Sequence, residues 1–156
     1  MALEKLVKDF ERALERLKEA YLRAKNSDKD DYYFFRDSAV QRFEFTVEIF
    51  WKCIKSYLRE IEGIECRSPK SCIKNFFSAG YLNEEGTILL LKMIDDRNLT
   101  SHTHREEVAE LLFSKLEGYI AQLEEVLLGL QKYMNYNAPV NFIRFLNTSL
   151  LKSDKI

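Results

Sequence analysis

Leu3, Leu6, Phe10, Ala13, Leu17, Tyr21 and Ala24 recur at steps of three and four residues with Lys, Glu and Arg between them. That spacing predicts an amphipathic helix. Asn26-Ser27-Asp28-Lys29-Asp30-Asp31 breaks the pattern with turn formers and supplies an N-cap for the next helix. From about Tyr32 to Glu62, Val40, Phe43, Val47, Phe50, Ile54, Leu58 and Ile61 form one stripe, and Phe45, Ile49, Cys53 and Tyr57 form a second beside it. Two stripes on one helix predict burial on more than one side, in a bundle centre or against a second subunit. At about 1.5–3 kcal/mol per fully buried large side chain, this helix alone supplies much of the gross core energy.

Gly63 ends that helix, and Ser68-Pro69 opens a short one, with serine as N-cap and proline at the first helical position. Its predicted buried face is Ile73, Phe76 and Phe77, and Gly80 is the stop. Asn83 caps a fourth helix carrying Ile88, Leu89, Leu91, Met93 and Ile94, predicted to end near Leu99. Thr103 and Glu106 have capping-box spacing at the head of a long fifth helix through Val108, Leu112, Leu116, Tyr119, Leu123, Val126, Leu130 and Met134. Asn135, Asn137 and Pro139 stop it. The predicted architecture is an all-α, up-and-down bundle of four main helices plus short ones over residues 1–137. Residues 138–156 form a C-terminal extension, a short helix or a partly disordered end.

Composition sharpens this picture. The 156 residues fit one domain, and five glycines with two prolines are too few for a turn-rich β-sandwich. A formal charge of -1 argues against a protein that coats nucleic acid generally, while leaving room for a local basic patch. Cys53, Cys66 and Cys72 are odd in number and lack ligand spacing, so they are expected to be reduced thiols in a cytoplasmic protein. Charges interrupt the apolar residues at the N-terminus, unlike a signal peptide, and no apolar run is long enough to span a bilayer.

The candidate chemistry lies in Arg97-Asn98-Leu99-Thr100-Ser101-His102. Arginine offers a permanently charged fork for phosphate oxygens, and histidine exchanges protons near neutrality. If one helix ends near Leu99 and the next begins near Thr103, both side chains project from one junction, where backbone N–H groups add attraction for phosphate. A capped junction without chemistry would carry the same residues. On RNA, His102 would act as acid or base and Arg97 would steady the phosphorus oxygens, with no metal or other cofactor required. Asn98 and Ser101 are supporting phosphate-binding or nucleotide-binding candidates. Asp95-Asp96 does not make a paired-aspartate site, since adjacent helical positions diverge, and solvation or salt bridging accounts for it. His102 and His104 lack a third ligand for zinc. Trp51 fits a core or dimer-interface aromatic; Lys70 and Lys74, one turn apart, could rim an RNA groove.

The ordered series Asp37-Ser38-Ala39-Val40-Gln41-Arg42-Phe43-Glu44, Trp51-Lys52, Leu58, Ser68-Pro69-Lys70, Phe77, Gly80 and Asp95 through Thr103 resembles the HepT-like nucleotidyltransferase substrate-binding subunits of the HEPN superfamily. The resemblance runs from about Leu6 to Leu130. It implies a helical homodimer whose Arg/His motifs meet at a shared cleft, and a partner, a separate minimal nucleotidyltransferase, in a hetero-oligomer. It further implies a metal-independent ribonuclease toxin acting through Arg97 and His102, with the nucleotidyltransferase as antitoxin adenylylating a tyrosine two residues after the motif histidine. His104 stands at that position here. Three readings stay open: modification of the histidine, inhibition by binding alone, or loss of the toxin cycle. The alternative function is a non-catalytic substrate-binding or nucleotide-binding subunit for a partner nucleotidyltransferase.

Overall fold

The computed structural model describes residues 2–102 and 105–136, with backbone alone at 101–102 and 135–136. Thr103, His104 and the extension beyond residue 137 lie outside the described residues.

Four long helices form an up-and-down bundle: α1 (Ala2–Lys25), α2 (Lys29–Tyr57), α4 (Glu84–His102) and α5 (Glu106–Tyr136), with the short α3 (Pro69–Ser78) between α2 and α4. No strand occurs among the described residues. No helix among them is long and apolar enough to cross a membrane. The pairing is legible in single contacts. Thr46 Oγ1 donates to the Ala13 carbonyl and Phe10 packs on Phe50, so α1 and α2 run antiparallel. Lys18–Glu124 and Gln131–Glu11 make α5 antiparallel to α1, and Phe43 stacks on Tyr119 where α5 runs parallel to α2.

The α1 stripe is buried through Leu3, Val7, Phe10, Ala13, Leu14 and Leu17, with Leu6 and Tyr21 at its margins. On α2 the first stripe is the core: Phe43, Val47, Phe50, Ile54 and Leu58 are fully covered. The second divides, because Cys53 and Tyr57 are buried while Phe45 is 56% exposed. α2 starts at Lys29, ahead of the first apolar residue of its pattern, because charged residues continue a helix that Asp28 opens. Its end is a π-helical turn, Leu58–Glu62, stopped by Gly63 at φ 68, a left-handed conformation that glycine adopts without a Cβ clash.

Ser68 caps α3 as expected, and Ser71 completes the box by accepting from the Ser68 N–H. Phe77 is 41% exposed; the α3 face that packs inward is Cys72, Ile73 and Phe76. The expectation of three reduced thiols is overturned, since Cys66 and Cys72 form a disulfide and only Cys53 is free. The loop after Gly63 returns to the first turn of α3 and brings the two Cα atoms to 5.2 Å, a proximity that the six-residue separation does not reveal. On α4, Leu90, Met93 and Ile94 are buried while Ile88 is 47% exposed.

Candidate functional site

Asn83 Oδ1 accepts from the Gly86 N–H and sets the start of α4. The helix then runs past the expected end at Leu99 and continues to His102. Thr100, buried, donates its hydroxyl to the Arg97 carbonyl inside this continuous helix. Arg97 and His102 therefore sit on one helix, not across a junction. Five residues apart, their positions lie about 140° from each other around the axis. α5 begins at Glu106, and the expected Thr103/Glu106 capping box rests on Thr103, which lies outside the described residues. Glu106 is the first helical residue, and its carboxylate is committed to Arg36 at 2.7 Å.

Asp95, Asp96 and Arg97 leave α4 at successive steps of about 100° and tie it to three different helices. Asp95 pairs with Lys70 of α3 at 2.5 Å. Asp96 accepts from Tyr119 Oη at 2.5 Å and from Lys115 Nζ at 3.2 Å, both on α5. Arg97 reaches α2, its Nη2 lying 3.7 Å from Glu48 Oε2 with the side chain 30% exposed. The paired aspartates thus serve as salt-bridge anchors, as expected.

Glu48 is the hub of this side of α4. Its Oε2 also accepts from Trp51 Nε1 at 3.1 Å, and its Oε1 lies 3.3 Å from Lys52 Nζ. Burial pushes the Glu48 carboxyl upward, but the Trp51 N–H, Lys52 and Arg97 outweigh it and hold it below the usual carboxylate range. It is ionised at neutral pH and holds two cations. Trp51 packs half-buried against the core, in line with its expected structural role.

A cleft of about 410 Å³ opens between α2, the last turn of α4 and the first turn of α5, with Gln41, Glu44, Thr100 and Arg105 on its walls. Beside it sits Arg36, only 1% exposed. Its guanidinium contacts Asp37 and Glu110 at 2.9 Å and Glu106 at 2.7 Å, and stacks over the Tyr33 ring at 4.9 Å. Glu110 also accepts from Tyr32 Oη at 2.6 Å; burial first, then this carboxylate, pushes the Tyr32 hydroxyl up to about 12. Nothing in the spacing of the sequence joins Arg36 to Glu106 and Glu110, or Glu48 to Arg97, because these partners lie far along the chain.

Of the expected site residues, Arg97 is in place beside Glu48, and Asn98 is exposed on the next position of α4. The Ser101 and His102 side chains and the whole of His104 lie outside the described residues. Among the described residues no group of three His, Cys, Asp or Glu side chains is arranged to hold a metal.

A family profile described as nucleotidyltransferase substrate binding protein like matches residues 5–132. A crystal structure of a protein from Thermus thermophilus is similar at 43% sequence identity and a TM-score of 0.70, covering 78% of this chain and 98% of that one. No curated protein matches the chain significantly.

Proposed function

The chain belongs to the nucleotidyltransferase substrate binding protein-like family, and from that premise we propose that it is a HEPN-type toxin: a cytoplasmic, metal-independent RNA endonuclease restrained by a minimal nucleotidyltransferase. The observation that carries this reading is the placement of Arg97. It is a partly exposed guanidinium anchored by Glu48, on the same helix as His102 but about 140° around it. Two groups so separated serve one phosphate best when a second copy brings its own motif alongside, which fits a composite site at a dimer cleft. Phe34, 74% exposed, and Phe45 on the outer face of α2 supply apolar surface for that second copy.

In such a site the RNA 2′-oxygen attacks phosphorus as the P–O5′ bond breaks. His102 takes the 2′-hydroxyl proton or gives one to the departing O5′, and Arg97 steadies the charge on the non-bridging oxygens. Asn98 and Ser101 support phosphate binding. His104 occupies the place of a modified tyrosine and is a candidate modification position.

The family description favours a second reading, a non-catalytic subunit that holds substrate or nucleotide for a nucleotidyltransferase. One experiment separates the two. The purified chain is incubated with total RNA in EDTA, alone and with a candidate nucleotidyltransferase partner, for wild type, Arg97→Ala and His102→Ala. The ribonuclease reading expects cleavage by wild type, a loss of at least about 100-fold in either variant, and suppression by the partner. Intact RNA under all conditions, with partner activity dependent on this chain, establishes the second reading in its place.

A further inference from the structure

The second half of α2 has a charge pattern that the Arg97 site does not use. Between Glu48 and Glu60 the chain carries Lys52, Lys55 and Arg59 and no acidic residue, although the whole chain is -1. The spacing i, i+3 puts Lys52 and Lys55 on one face of α2 with a rise of about 4.5 Å between them, and Arg59 follows in the π-helical turn Leu58–Glu62. Lys52 and Arg59 are exposed and Lys55 is half-buried, its ammonium 5.6 Å from the centre of the Trp51 ring. The acidic groups that follow are directed elsewhere: Glu60 accepts from Ser56 Oγ at 3.4 Å, and Glu62 accepts from Tyr81 Oη at 2.6 Å. No carboxylate contacts Lys55 or Arg59 among the described residues.

The line of cations starts at the candidate site itself. Lys52 and Arg97 flank the same Glu48 carboxylate, 3.3 Å from one oxygen and 3.7 Å from the other. A phosphate group drawn to Arg97 is therefore within the field of Lys52, and the next phosphates along a strand meet Lys55 and then Arg59.

We infer that Lys52 and Lys55 of α2, continued by Arg59 of the π-helical turn, form a backbone track for single-stranded RNA leading to Arg97. The inference rests on the ribonuclease reading and adds to it where the strand lies. Contacts of this kind read phosphate, not base, so the track fixes orientation and register without imposing sequence. Phe34 and Phe45 lie on the same side of α2 but nearer its start, Phe45 about 10 Å along the axis from Lys52, and present apolar surface there.

The test is a double variant, Lys55→Gln/Arg59→Gln, which leaves the Glu48 contacts to Lys52 and Arg97 in place. Binding of a fluorescein-labelled 20-nucleotide single-stranded RNA is measured against salt concentration in a His102→Ala background, and cleavage of the same RNA in the wild-type background. With each single-strand phosphate contact worth about 0.7 in the slope of log affinity on log salt, losing two flattens the slope by about 1.4. Cleavage then shows a raised KM with kcat held. An unchanged slope with cleavage intact overturns the track and leaves the ribonuclease reading standing. A wild-type chain that neither binds nor cuts the RNA overturns both. A double variant that turns from dimer to monomer in sedimentation assigns this face to a second copy, and the track fails.

Discussion

Arg36 carries a permanent charge to 1% exposure, which is tolerable only because three carboxylates and an aromatic face receive it. Two of those carboxylates, Glu106 and Glu110, stand at the start of α5, so the contact fixes that helix against α2 just beyond the motif. Hydrogen bonds to charged groups of this kind are each worth about 1.5–3 kcal/mol, and Arg36→Met is expected to lower stability by about 2 kcal/mol in urea unfolding. The pH dependence has a definite sign. The Arg36 hydrogen bond holds the Glu106 carboxyl below its ordinary value, so the contribution is complete above the ordinary carboxylate range and is lost as pH falls through the lowered pKa. The stability gap between wild type and Arg36→Met should narrow from about pH 7 to about pH 3; a constant gap across that range would show that Arg36 acts through packing alone.

The elements follow from local rules to different degrees. α3 is short, yet Ser68, Pro69 and Gly80 mark both its ends, because capping and positive-φ requirements are local chemistry. The ends of α4 and α5 near the motif are not set locally. Glu106, the first residue of α5, places its carboxylate on the buried Arg36 guanidinium of α2, a partner on another helix. The bridge at the start of α3 is of the same kind, since only the path of the loop reveals that Cys66 and Cys72 meet. Burial pushes the remaining Cys53 thiol up to about 12, which keeps it protonated and unreactive in the folded chain. Thiol titration of protein purified without reductant should therefore count none in the native state, one after denaturation and three after denaturation with reductant. Three thiols in the unreduced denatured sample would remove the bridge.

For the molecule as a whole, the outer face of α2 matters most. Phe34 and Phe45 are eleven residues apart and lie within about 20° of each other around the helix, and both are more than half exposed. Neither has a place in the core that α1, α4 and α5 complete around the other side of α2. In the dimer we propose, a second copy covers them, and the double variant Phe34→Asp/Phe45→Asp should sediment as a monomer and lose RNA cleavage together. A variant that remains dimeric would show that the copies meet elsewhere. The same helix thus offers apolar surface in its first half and positive charge in its second, with Glu48 and Arg97 at the boundary.

Alternating three- and four-residue spacing specifies four long helices and most of their buried faces, because burying one side of a helix is a demand that every turn repeats. The closeness of Arg97 and His102 along the chain, and the turn chemistry at Ser68, Gly63, Gly80 and Asn83, are equally local and equally readable. Helix packing, by contrast, puts the motif on one unbroken helix, lets Glu48 hold Arg97, and has Arg36 pin the start of α5. It also selects which aromatics stay outside, since Phe45 and Phe50 look alike in periodicity and differ only in what stands opposite them. Each of these depends on which helix faces which, and a partner dozens of residues away leaves no mark in the local spacing.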